Sequence, residues 1–293
     1  MNTALLPITR RLTLAYVLSF VLAALMSAAS LAGLLFQASV YPTDAMRRSF
    51  VPTDVVNLLI GLPILLGSMA LAQRGRLIGL LFWPGALFYV TYHYIAYAVA
   101  MWFTWQSVLY VALVVASIYA IIELLFRVDS AAIQRRLKGA VPERLAGGVL
   151  VGFGLLSFLR NIGVVMQALA GQAAPTVPQL ATLAADLLIL PTWLLGGVLL
   201  WRRQAYGYAA GAGLLFQASM LFIGLLVYFV LQPFLTATPF PGVDFVVILV
   251  MGLVCFVPYW IVRARGVAWR KSGSSSSRRV KRTMRQVLTR GRW

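Results

Sequence analysis

The sequence predicts an all-α polytopic membrane protein of eight transmembrane helices, arranged as two parallel four-helix repeats. Three observations predict it. Of its 293 residues 61% are hydrophobic, and the mean hydropathy is +0.87. Uncharged runs recur along the chain, each long enough for the roughly 20 residues a helix needs to cross a bilayer. Basic residues collect at alternate connections between those runs, and part of the second half repeats part of the first at a constant offset. The short alternating segments of a transmembrane β-barrel are absent.

The apolar segments fall at 12–36, 52–73, 77–101, 104–127, 147–170, 179–201, 205–232 and 243–263. The first has the basic start and the small residues ("MSAAS") of a cleavable signal. Its apolar run continues to Phe36, however, past the usual core of about 7–15 residues, so it reads as a retained helix. The second carries Asp54 and Asn57 at i and i+3 near its outer end, read as interfacial caps. The third contains "LFWPGALFYVTYHYIAYAV", Leu81 to Val99, with the only histidine of the chain. Tyr89, His93 and Tyr97 lie at i−4, i and i+4 on one face, with Tyr92 beside them. Pro84 withdraws a backbone donor and predicts a kink, and the "WPG" triplet allows another helix close approach. The fourth ends with Glu123 and Arg127, four apart, the spacing of a surface ion pair. The fifth holds Arg160 and Asn161, the sixth Asp186, and the eighth Cys255, a lone thiol expected to be inert packing.

Sorting the connections by charge gives the orientation. The N-terminus, the second, fourth and sixth loops and the C-terminal tail together hold 22 of the 25 Lys and Arg residues. The positive-inside rule therefore puts both termini in the cytoplasm and the protein in the cytoplasmic (plasma) membrane. Net charge is +18. In a soluble chain that would point to nucleic acid, but basic residues at the ends of apolar runs point to anionic lipid instead, and no nucleic acid is expected.

Residues 62–99 align without gaps on 190–227 at an offset of 128, with 11 of 38 positions identical, including Pro63 with Pro191, Arg74 with Arg202, Gly79 with Gly207 and Gly85 with Gly213. The implied organisation is a repeat over 1–128, a cytoplasmic basic linker over 129–146, a second repeat over 147–265, and a Ser-rich linker with basic tail over 266–293. The offset sets Leu221 against His93, and Ser30 lies roughly opposite Arg160, so the copies differ where polar groups stand. The heptamer "GLLFQAS" also occurs twice, from Gly33 and from Gly213, outside that offset. In the tail, Val280, Met284, Val287 and Leu288 mark one face of a short amphipathic helix. Arg278, Arg279, Lys281, Arg282 and Arg285 would contact anionic lipid of the inner leaflet.

Function rests on the polar residues at membrane depth. An arginine near the centre of a span costs at least about 2.5–3.5 kcal/mol, so Arg160 needs a partner, and Asp186 is the best one in the chain. Arg160, Asp186 and His93 fall at one depth in the outer half, predicting a polar pocket there, completed by Tyr89, Tyr92, Tyr97 and Asn161. The simpler account is a structural Arg160–Asp186 pair with His93 hydrogen-bonded elsewhere in the bundle. One cysteine and one histidine exclude an intramolecular disulfide, a cysteine-cluster metal site and a bis-histidine haem, so no cofactor or metal is expected. No P-loop, H-E-x-x-H or paired carboxylate motif is present. The best reading is a permease or carrier for a small anionic or amphiphilic solute. A membrane enzyme acting on a lipid or isoprenoid and a non-catalytic scaffold are the rivals.

Overall fold

A computed structural model describes residues 6–101, 104–139, 141–171 and 174–258. The basic tail, with Arg278, Arg279, Lys281, Arg282 and Arg285, lies outside them. The described chain is helical and contains no strand, only an isolated bridge between Ile8 and Val128. Six helices are long and apolar enough to cross a membrane, as a multi-pass membrane protein requires.

The first helix, α1 (Thr13–Leu35), ends at Phe36, and a single turn, α2 (Gln37–Val40), follows. The next helix starts earlier than the sequence predicts. Thr43 caps α3 (Asp44–Val56) by accepting from the Met46 N–H at 3.3 Å. Its first turns, "DAMRRSF", are too polar to read as part of an apolar run. The helix continues through a π turn (Asn57–Gly61) into α4 (Leu62–Gln73), making one 30-residue unit. Pro63 has no N–H to give, and the Leu62 N–H reaches back five residues to the Asn57 carbonyl, which widens the helix there. Pro52 likewise frees the Arg48 carbonyl, which accepts from Tyr228 Oη at 3.4 Å.

After a tight turn comes α5 (Leu77–Ala100), which runs unbroken through Pro84. Rich in tyrosine, it falls short of the apolar measure that the six helices meet, yet it is the most enclosed, with Trp83, Tyr89, Tyr94 and Tyr97 all fully buried. The polar hydroxyls are tolerable because α5 faces other helices rather than lipid. By contrast α6 (Trp105–Arg127) and α8 (Glu143–Leu169) turn large apolar side chains outward, among them Tyr119, Phe126, Leu159 and Met166. Glu123 and Arg127 form the expected ion pair. The segment read as a basic linker holds α7 (Ser130–Leu137), capped by Asp129, whose side chain accepts from the Ala132 N–H at 2.9 Å. Glu143 at the start of α8 accepts from Tyr208 at 2.8 Å, and Gln134 of α7 donates to the Arg203 carbonyl at 2.6 Å. These bonds, with Thr9 to the Arg127 carbonyl at 2.8 Å, tie one end of the bundle together.

The last helices are α9 (Val177–Trp201), α10 (Ala205–Thr236) and a shorter apolar α11 (Gly242–Pro258). Buried apolar residues form two clusters. One runs from Leu12 to Leu124 and is joined by Ala181; the other runs from Ile133 to Cys255 and is joined by Leu81. The turns α4–α5 and α9–α10 make the same backbone bonds at positions 128 apart. Arg74, Gly75 and Arg76 donate to Ala70, Ala72 and Leu71; Arg202, Arg203 and Gln204 donate to Val198, Leu200 and Leu199. The middle residue of the reversal has positive φ in both, Gly75 at 72° and Arg203 at 58°. A Cβ on Gly79 would lie 2.3 Å from the Ala72 nitrogen, and one on Gly207 would lie 2.5 Å from the Leu200 nitrogen. The two halves meet where α5 crosses α10. There a Cβ on Gly85 would lie 2.1 Å from the Gly213 carbonyl oxygen, so the crossing is backbone against backbone. Phe82 stacks on Phe216 beside it, ring centroids 4.1 Å apart.

Candidate functional site

Beyond that crossing, away from the bonded end, the helices separate around a cavity of about 310 Å³. Its wall draws on Thr53 of α3, Tyr92, His93 and Tyr97 of α5, Arg160 of α8, Thr182 of α9 and Gly224 of α10. The chain's one imidazole and its mid-helix guanidinium therefore face a common space.

Arg160 is held by Asp186, Nη2 to Oδ2 at 3.1 Å, and the same Asp186 accepts from Tyr92 at 3.3 Å on its other oxygen. This links α8, α9 and α5 through one carboxylate. Asn161 is buried with its Oδ1 3.5 Å from the guanidinium. Of the Arg160 side chain 59% is accessible, against 9% for Asp186. Asp186 and Asn161 stand behind Arg160 and are not part of the cavity wall. One guanidinium edge is committed to Asp186, and a guanidinium carries five N–H donors, so donors remain for a second anion.

His93 Nδ1 lies 2.9 Å from the Tyr89 carbonyl one turn back. A carbonyl only accepts, so Nδ1 carries a proton and Nε2 is left as the free ring nitrogen. The His93 ring packs on Tyr89 at 4.2 Å and edge-on to Tyr92 at 5.4 Å. The expected tyrosine row does not act as one set. Tyr89 is fully buried beneath the histidine, toward Gly224, and Tyr97 presents its ring to the cavity but turns its hydroxyl away.

Tyr97 turns toward a second polar group that sequence reasoning placed wrongly. Asp54 is 1% exposed and accepts from Tyr41 Oη at 2.5 Å and Tyr97 Oη at 2.9 Å. Asn57, one turn on, is equally buried, and neither atom of its amide has a partner among the described residues. Ser30 of α1 is buried against the same carboxyl without a bond of regular geometry. These residues are thus no interfacial caps. Asp54 lies ten residues into α3, roughly 15 Å along the axis at 1.5 Å per residue, whereas the predicted start at 52 set it at the surface. The signal that would have found it is "PTDAMRRS", a capped helix start ahead of the apolar run.

No protein-family model, curated protein or solved structure matches the chain.

Proposed function

We propose that the chain is a carrier of the cytoplasmic membrane that binds a small anionic or amphiphilic solute in the cavity beside Arg160. The observation that carries this reading is the cavity itself: it is lined from both halves of the molecule and has an accessible guanidinium on its wall. Its volume stands at the low end of the roughly 300–1,000 Å³ of ligand pockets, which fits a small solute.

In this reading the chain crosses the bilayer eight times, with α5 in the interior and α11 as the last crossing, and both termini are cytoplasmic. The halves are two parallel repeats about an axis along the membrane normal. Support comes from the matching turns and from Gly85 meeting Gly213, its own counterpart at the 128 offset. Contact between equivalent residues is what a twofold relation produces. The glycine crossing then serves as the pivot on which the halves rock, opening the cavity to one side and the other. The basic tail rests on anionic lipid at the cytoplasmic face.

The anion docks on the free edge of Arg160 while Asp186 keeps the guanidinium charged and in place. Tyr92 holds the far oxygen of Asp186, and His93 and Thr182 furnish neutral polar contacts for the rest of the solute. The test is a thermal-shift screen of the purified protein with small carboxylates and phosphate monoesters, run beside Arg160→Ala. A ligand at 100 times its Kd stabilises its protein by about 2.7 kcal/mol. At least one anion is expected to raise the wild-type midpoint and leave Arg160→Ala unmoved. Equal responses in both proteins would remove the basis for the proposal. A hit also separates the rivals: His93→Ala that binds normally yet blocks turnover would mark an enzyme.

A further inference from the structure

We propose that Asp54 is a proton-binding site, with the Tyr97 hydroxyl as the hydrogen-bond partner that serves both of its charge states. The carboxyl is 1% exposed and about three turns into α3. The titratable groups that face it are Tyr41, Tyr94 and Tyr97, with Tyr110 of α6, and α1 presents Ser30. No lysine, arginine or histidine among the described residues stands against it. A permanently ionised carboxylate without a counter-charge is costly at that depth, so the group must share its charge with a cation.

The packing selects the smallest cation. On the α1 side, a Cβ on Gly33 would lie 2.0 Å from Asp54 Oδ2 and 2.5 Å from Tyr41 Oη, so side-chain atoms already fill that space. A metal ion would need several oxygen ligands arranged around its own volume, and a proton needs none.

Hydrogen-bond partners for both charge states are present. Tyr97 Oη, turned away from the cavity, lies 2.9 Å from Asp54 Oδ1 and 3.4 Å from the Phe50 carbonyl. With the carboxylate ionised, the hydroxyl hydrogen points to Oδ1. When Oδ1 takes up a proton, the new carboxyl O–H donates to Tyr97 Oη, and the tyrosine hydrogen turns to the Phe50 carbonyl. One proton is gained, one O–H bond forms, and every donor keeps an acceptor. Pro52 and the π turn flank this segment of helix, and the unspent Asn57 amide stands one turn away, so the surroundings can adapt to either charge state. Coupling of this proton to solute movement rests on the carrier reading; protonation itself does not.

The experiment is infrared difference spectroscopy of the full-length protein in lipid nanodiscs across a pH series. We expect a protonated-carboxyl C=O band that is lost as pH rises. Asp54→Asn should abolish that band while Asp186→Asn retains it. Tyr97→Phe should keep the band and shift its frequency, which provides the readout if Asp54→Asn does not fold. A band unaffected by both Asp54→Asn and Tyr97→Phe would overturn the assignment, as would one that responds to added sodium and not to pH. Neither outcome bears on the anion screen with Arg160→Ala, so each proposal fails by itself.

Discussion

Asp54 and Asp186 are both buried, both sit in the first half of the continuous helical unit that bears them, and both are hydrogen-bonded by a tyrosine of α5. Tyr97 and Tyr92 are five residues apart, which places them about 140° apart around the helix, so one helix serves two sites on different flanks. The sites differ in what balances the carboxylate. Asp186 has an arginine, and the pair joins α8 to α9. Asp54 has only hydroxyl donors and a closely packed glycine, which leaves its charge free to change. A counter-ion makes a buried acid a fixture, whereas tyrosines alone leave it able to exchange a proton.

Removing each carboxylate tests that difference most strongly. Asp54→Ala strands two buried hydroxyls and should cost about 3 kcal/mol, with no second-site removal of a basic residue restoring it. Asp186→Ala should cost about 2 kcal/mol, the penalty of an unpaired arginine reduced by the accessibility of its side chain. Adding Arg160→Ala to Asp186→Ala should then recover most of that loss. Unfolding midpoints in one detergent would measure all three, and a double mutant no more stable than Asp186→Ala would deny the pairing.

Space gives the next contrast. Gly33→Ala should lower stability by about 1–3 kcal/mol through overpacking against Asp54. Gly163→Ala, one turn beyond Arg160 with nothing within 4 Å of the new Cβ, should instead be neutral or gain up to about 1 kcal/mol of helix propensity. Matching losses would mean that the two surroundings are equally tight. The smallest difference lies in the tyrosines. Tyr97→Phe removes a 2.9 Å bond to a fully buried acid and should cost about 1.5 kcal/mol, and Tyr92→Phe removes one of 3.3 Å and should cost about 0.5 kcal/mol. Reversal of that order would indicate that Asp186, not Asp54, depends on its hydroxyl donor.

The Arg160–Asp186 pair and the cavity shared with His93 were legible because charge at membrane depth is expensive and leaves few choices of partner. The Asp54 cluster was not, because its signal is distributed over Gly33, Tyr41 and Tyr97, distant in sequence and ordinary one by one. The repeated heptamer shows the same limit. From Gly33, "GLLFQAS" breaks at Phe36, leaving Phe36 exposed and the Gln37 side chain donating to the Leu34 carbonyl at 3.2 Å. From Gly213 the same residues stay inside α10, where Phe216 stacks on Phe82 and Gln217 accepts from Trp193 at 2.8 Å.

The length of the apolar runs determined the helical membrane class, because burial and backbone satisfaction in a bilayer act segment by segment. Tertiary packing alone decided that a tyrosine-rich helix lies at the centre, and that one carboxyl meets an arginine while the other meets only hydroxyls. Those outcomes depend on which side chains from distant segments share one small volume, and that is set by how the helices cross.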